Sequence, residues 1–222
     1  MPNDTAIYVK ADLHVHTVYS SDSLITLEEL VFYAKKRGLN AVAVTDHNRV
    51  EGALKMSGET DFLIIPGTEV NSRDGHIIAL NVCEDIQRGL SAEETVDKIH
   101  AAGGIAVACH PFAMFKGSLG KHANGKFDAI ETINASASPF NRSVRKSEEV
   151  AARFKLPRVA GTDAHYAPAI GYAYTVIDAE VNADAVAKAI IAGHCQPFGA
   201  PMPLGIKLEK YYHYFKKKLG SS

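Results

Sequence analysis

Residues 6 to 17 read Ala6-Ile-Tyr-Val-Lys-Ala-Asp-Leu-His-Val-His-Thr17, and the reading of this run decides the fold. Ile7, Val9, Leu13 and Val15 make it a β-rich stretch that predicts a strand. Side chains alternate along a strand with period two, so His14 and His16 share a face while Val15 points the other way. Two imidazole nitrogens at a strand end can then converge on one ion. A Ser/Asp-rich turn at Ser20 to Asp22 follows. Beyond it Thr26-Leu-Glu-Glu29 is a capping box, in which the Thr26 hydroxyl accepts a backbone N–H and Glu29 reaches back. Leu27, Leu30, Val31 and Ala34 keep the i, i+3, i+4, i+7 rule of a helix, and Gly38 stops it.

This βα rhythm recurs at intervals of about 30 residues, which argues for α/β architecture. Strands are expected at Ala41 to Thr45, at Phe62 to Ile65 leading through Pro66-Gly67 to Glu69, and at His76 to Val82 after an Asp74-Gly75 hairpin turn. Ser91-x-x-Glu94 caps a helix ending at Gly103-Gly104. Further strands fall at Ile105 to Cys109, Ala129 to Ile133 and Arg158 to Gly161, with a helix over about residues 140 to 155. Tyr172 to Ile177 reads as a last, peripheral strand, and Asn182 to Ala192 as a helix stopped by Gly193. Pro197, Pro201 and Pro203 mark a loop into a helix over about 204–219. We expect a single domain over 1–222, and 222 residues at 46% hydrophobic and 22% charged suit one core. That composition excludes disorder, collagen and coiled coil. A net charge of −1 gives no bulk reason to coat nucleic acid or a membrane. The cysteines Cys83, Cys109 and Cys195 form no C-x-x-C pair, which points to a reducing cytoplasm rather than a disulfide framework. No run of 18 apolar residues occurs, and no membrane association is expected.

The chemistry lies where the runs end. Asp163 and His165 repeat the i, i+2 spacing near the other end of the chain, and His47, Glu69 and His110 each follow a β-rich run. If the strands are parallel these groups gather at one C-terminal rim, where barrel active sites sit. A hairpin at Asp74-Gly75 brings His76 back beside Glu69, and Asp22 leans over the same rim. Six histidines and three carboxylates are too many donors for one tetrahedral zinc, so two or three divalent ions are expected, with Zn²⁺, Mn²⁺ and Fe²⁺ all compatible. Alternation should turn Cys109 into the protein layer behind. Asn134, Asn141, Arg142 and Arg145 offer phosphate donors above the rim, although Asn141 serves equally well as a helix cap and the arginines as a wet face. The loop from Phe112 to Phe127, with Lys116 and Lys121, is expected as a lid. His100, His122, His194 and His213 have no partners in this pattern. In the tail, Leu208, Tyr211, Tyr212 and Phe215 lie at helical spacing among Lys207, Lys210 and Lys216 to Lys218, as in a surface helix docked by its aromatic face.

The motifs Asp12-Leu-His-Val-His-Thr17 with Ser20 to Asp22, Thr45-Asp-His47, Glu69, Gly75-His76, His110-Pro111 and Gly161-Thr-Asp-Ala-His165 resemble the polymerase and histidinol phosphatase (PHP) family of metal-dependent phosphoesterases. The resemblance covers about residues 8 to 177. It implies a distorted, TIM-like (β/α)7 barrel with a trinuclear centre. On this resemblance His14, His16, Glu69 and Asp163 hold one metal; His76 and His110 hold a second bridged by Glu69; Asp22, His47 and His165 hold the third. Metals that share a carboxylate lower the pKa of water towards about 7 and bind phosphoryl oxygens as Lewis acids. Asp163 is then expected to take the water's proton and His165 to serve the leaving group. The expected activity is hydrolysis of a phosphomonoester of a small metabolite or nucleotide. A phosphodiesterase or nuclease and a non-catalytic metal-stabilised scaffold are the alternatives.

Overall fold

The computed structural model describes residues 8–219, with side chains in the C-terminal helix described for residues 204–210, 212 and 213. Fifteen elements follow one another: β1 (Tyr8–Val15), α1 (Leu27–Lys36), β2 (Ala41–Val44), α2 (Glu51–Gly58), β3 (Leu63–Ser72), β4 (Gly75–Leu80), α3 (Ala92–Ala101), β5 (Ile105–Ala108), β6 (Ala129–Asn134), α4 (Phe140–Phe154), β7 (Arg158–Gly161), β8 (Ala173–Asp178), α5 (Ala183–Ile191), β9 (Cys195–Gly199) and α6 (Leu204–Leu219). Both capping boxes form as read: Thr26 accepts from Glu29 N and Ser91 from Glu94 N. Asn182 likewise caps α5.

The nine strands lie in the order β7-β6-β5-β4-β3-β2-β1-β8-β9. Strands β1 to β3 are parallel, as are β5 to β7, and β4 runs against both β3 and β5. The sheet curls until its ends nearly meet. Val15 bridges Ala164 just after β7, and His16 N donates to Ala164 O at 2.9 Å. Lower down the Thr175 hydroxyl of β8 fills the gap, accepting from Ala160 N (2.8 Å) and donating to Ala160 O (3.1 Å). The result is the expected α/β barrel, with β4 reversed within the run β1 to β7 and β8 and β9 added beside it.

Two apolar layers hold the sheet. One, including Val42, Val44, Ile64, Ile77 and Ile130, packs with residues of α1 to α4. The other joins Val9, Ala11, Leu13, Ala43, Ile65, Ile78, Val107 and Val159 to Val186 and Ile190 of α5. Several expectations need correction. Strand β3 runs on through Pro66 and Glu69 to Ser72, and the hairpin loop is Arg73-Asp74, with Gly75 already in β4 at φ 143°. Helix α2 was not foreseen: no side chain caps it, and the N–H of Val50 just before it bonds instead to the distant Asp85 at 2.8 Å. Strand β8 is not peripheral, because β9 pairs with its outer edge. Pro197 in β9 hid that strand, yet an edge strand tolerates a residue without an N–H donor. Of the expected tail stripe, Tyr211 and Phe215 and the cations Lys216 to Lys218 lie outside the described side chains.

A one-residue bulge in β1 sets up the site. Asp12 pairs with Val42 and Val15 with Val44, so β1 spends three residues where β2 spends two. Val9, Ala11 and Leu13 face the inner layer, and strict alternation from them would turn His14 and His16 outward. The extra residue reverses the phase, Val15 joins the outer layer, and the two histidines point inward.

Candidate metal centre

Glu69 lies at the middle of the cluster, almost fully buried. Its Oε1 is 2.8 Å from His76 Nδ1 and 2.9 Å from His110 Nε2. Its Oε2 is 3.2 Å from His16 Nε2, 3.4 Å from His14 Nε2 and 3.2 Å from His47 Nδ1. His14 Nε2 and His16 Nε2 face each other at 3.2 Å. Asp163 Oδ1 stands 3.7 and 3.5 Å from the same two nitrogens. Asp22 Oδ2 lies 3.0 Å from His165 Nε2 and 3.5 Å from His47 Nε2. All nine side chains singled out in the sequence therefore meet at one end of the barrel.

Some of them reach it by a route other than strand alternation. Asp163 follows the end of β7 and adopts a left-handed conformation (φ 55°), so a turn rather than the pleat pairs it with His165. His110 also has positive φ (32°), and the twist leaves Cys109 facing inward, 3.5 Å from Glu69 Oε1, instead of lying in the layer behind. Burial, and after it the Glu69 charge, pushes the Cys109 thiol well up, so it is a neutral S–H and not a thiolate ligand. Non-glycine residues in this region are uncommon and tend to occur at functional sites.

A surrounding set of side chains orients the donors. Glu131 Oε1 accepts from His14 Nδ1 at 3.1 Å, which leaves the His14 Nε2 lone pair for the cluster. Its Oε2 accepts from His110 N at 2.7 Å and Asn134 Nδ2 at 3.0 Å. Asp46 takes both the N–H and hydroxyl of Thr17 at 2.6 Å. Asp12 accepts from Thr162 N (2.9 Å) and Gly171 N (3.0 Å), and burial lifts its carboxyl to about 6. His165 Nδ1 donates to Asp163 O at 3.0 Å, turning its Nε2 to Asp22. The sequence reading missed Glu131; a lone glutamate within the apolar run of β6 was its signal.

The electrostatics favour bound cations. Burial opposes charge on Glu69, yet its histidine neighbours hold it well below the usual carboxylate range. Burial likewise opposes ionisation of Asp163, but Lys116 and His14 hold it well below. Against the same desolvation, the carboxylates draw His14 well up and His16 up to about 9. Burial and the charge of stacked His16 push His165 down to about 4. Among the described residues Asp22 Oδ1, His47 Nδ1 and His110 Nδ1 are buried without a hydrogen-bond partner; His47 Nδ1 is near Glu69 Oε2 but out of alignment. Four triads of ligand atoms lie close enough for one ion each, among them His14, His16 and Asp163, and His16, His47 and His165. Converging lone pairs, unpartnered nitrogens and concentrated carboxylate charge fit divalent metal.

A space of about 160 Å³ above the cluster shares Lys116, Asp163 and His165 as walls with a neighbouring cavity of about 290 Å³. Lys116, expected in a lid, sits over the site and pairs with Asp163 Oδ2. Lys207 and Lys210, expected on a surface tail, line the larger cavity with Ser136 and Ser138. His213 is not isolated either, since it stacks on Tyr166 of the cavity wall at 5.2 Å. His100 pairs with Asp128 away from the site. The expected phosphate donors fare less well. Asn134 is buried and bound to Glu131 and Ser136 N; Arg145 pairs with Glu149 on the exposed face of α4; Asn141 is exposed inside that helix and does not cap it. Arg142 reaches only Met114 at the cavity mouth.

The fold and the cluster define a class: α/β barrels that gather histidines and carboxylates able to hold metal at one end. The sequence model of the PHP domain matches residues 12–130, and a PHP-associated model matches 141–195. The chain belongs to the PHP domain family. An uncharacterized protein of Methanocaldococcus jannaschii, MJ1587, is 38% identical over 141 residues, covering 57% of this chain and 82% of that protein. A second from the same organism, MJ0417, is 27% identical over 177 residues, covering 75% and 69%. Among solved structures, a two-domain Bacteroides vulgatus protein described as containing a predicted PHP-like metal-dependent phosphoesterase superposes with a TM-score of 0.70 at 17% identity, covering 87% of this chain. This chain spans 65% of that protein's length. PsfC from Pseudomonas syringae gives 0.68 at 18% identity, covering 96% of this chain and 99% of that one.

Proposed function

We propose that the protein is a hydrolase of small phosphomonoesters that works with two or three divalent ions, zinc, manganese or iron. The carrying observation is that eight further donors gather around Glu69 beside a lysine-lined cavity of about 290 Å³. His14, His16, Glu69 and Asp163 would hold one ion, His76 and His110 a second shared through Glu69, and Asp22, His47 and His165 a third. Bound there, the ions supply a nucleophile from water at neutral pH and polarise the phosphoryl oxygens. The chain's own groups do the rest. Asp163 is the carboxylate placed to receive a proton. His165, held neutral by burial and His16 with its Nδ1–H on Asp163 O, would give its Nε2 lone pair to the third ion, and the proton taken up by Asp163 would return to the leaving oxygen. Lys116 offers an ammonium to a phosphoryl oxygen at the junction of the two spaces.

The cluster opens onto a cavity, which suits catalysis better than a closed structural centre. A cavity walled by residues 114–116 and α6 suits a small ester better than a polynucleotide. We take the unit as one domain with α6 included, since α6 returns to the site. No helix among the described residues is long and apolar enough to cross a membrane, and the three cysteines are free, which supports a cytosolic setting. The test is metal analysis of protein purified without chelator, then phosphate release from panels of phosphomonoesters and phosphodiesters with Mn²⁺, Zn²⁺ or Fe²⁺. Turnover of monoesters alone is expected. Turnover of diesters alone would replace this reading with a nuclease, and a full metal complement with neither activity would leave a scaffold.

A further inference from the structure

The larger cavity is lined by two cations that form no ion pair with a described carboxylate. Lys207 and Lys210, three residues apart on α6, both line it, while the ion pairs of described lysines and arginines are made by Lys116, Lys126, Arg145 and Arg158. Both lysines are half-buried. Burial, with Lys116 nearby, works against the charge on Lys210, and an anion received in the cavity would offset that cost. Ser138 adds a hydroxyl donor on the same wall, and Met202 adds apolar surface for a carbon scaffold. Lys116, by contrast, pairs with Asp163 at the junction with the metal cluster, where it faces the ester undergoing hydrolysis. The ester undergoing hydrolysis belongs at that cluster; Lys210 lies within charge range of Asp163 and Asp22 there, and with Lys207 it lines the wall along which the rest of the substrate would extend.

We propose that Lys207 and Lys210 form a second anion subsite, and that the substrate is a small phosphomonoester carrying a further carboxylate or phosphate on a short scaffold. This rests on the phosphoesterase reading. Two matched pairs of compounds test it: 3-phosphoglycerate against glycerol 1-phosphate, which differ by a carboxylate, and fructose 1,6-bisphosphate against fructose 6-phosphate, which differ by a phosphate. The metal-loaded protein should favour the doubly anionic member of at least one pair by about tenfold in kcat/KM, mainly through KM, as expected for a charge-assisted contact. The favoured pair identifies the second group. In Lys207→Met/Lys210→Met that ratio should fall towards one, and Lys207→Arg/Lys210→Arg should keep it. Titration calorimetry of the same compounds reads the difference without turnover. Equal binding within both pairs, no detectable binding of any member, or a preference that survives the double Met variant overturns the subsite. A binding preference that persists while no phosphomonoester is hydrolysed supports the subsite and counts against the phosphoesterase reading instead.

Discussion

Glu131 touches no other member of the cluster except through His14 and His110, yet it fixes which His14 nitrogen faces inward. Glu131→Gln keeps the volume but leaves one acceptor oxygen for three donors. Metal affinity should fall by about 10–100-fold, the usual cost of losing such a partner, read by competition with a chromophoric chelator. Unchanged affinity would reduce Glu131 to packing. The thiols make a second test at this scale. Cys83 is exposed, burial raises Cys195 to about 11, and Cys109 is buried. Iodoacetamide at pH 8 should therefore label Cys83 first, Cys195 slowly and Cys109 only on unfolding, as followed by mass spectrometry. Labelling of Cys109 in the folded protein would mean that the barrel interior opens. Eight of the nine grouped side chains were legible because each stands beside an apolar run where composition alone would not put it, while Asp22, in a Ser/Asp-rich turn, was legible only as a loop residue near the same rim. Glu131 sits inside such a run, and Lys116, Lys207 and Lys210 look in sequence like any solvated lysine.

Elements whose ends are fixed by local chemistry were legible for the same reason that single changes in them have foreseeable costs. Thr26 bonds to Glu29 N and Glu29 to Thr26 N, all within four residues. Thr26→Ala should cost about 1 kcal/mol, lowering the melting temperature by roughly 2–4 °C in a chain of this size, and a denaturant melt with no change would show the cap to be idle. Helix α2 and strand β9 were not legible because their determinants are remote: Asp85 for one, the edge of β8 for the other. The closure of the barrel is remote too, and Gly161 enforces it. A Cβ at Gly161 would fall 2.4 Å from His14 Cβ, 2.8 Å from His14 N and 2.9 Å from Glu131 Oε1. Gly161→Ala must therefore push β1 and β7 apart where they meet, costing roughly 1–3 kcal/mol and releasing metal. A variant that keeps full stability and full metal content would show that the seam can give.

At the scale of the molecule the cluster is a clasp between the first strand and the seventh, because His14 and His16 share it with Asp163 and His165 across the seam. Ions that bind only this assembled state stabilise it by mass action, by about 2.7 kcal/mol at a hundredfold excess over Kd. For a chain of this length that corresponds to a rise of roughly 5–11 °C in melting temperature. Chelator-stripped protein should melt lower by that amount and recover on adding Zn²⁺ or Mn²⁺, and His14→Ala should lose most of the response. Every donor lies between residues 14 and 165, whereas α6 contributes only to the adjoining cavity. Truncation before Leu204 should consequently preserve the metal-dependent shift while removing any preference for a doubly anionic substrate. If the shift disappeared with the helix, α6 would have to be part of what assembles the centre, and the division between a barrel that holds metal and a helix that selects the substrate would fail.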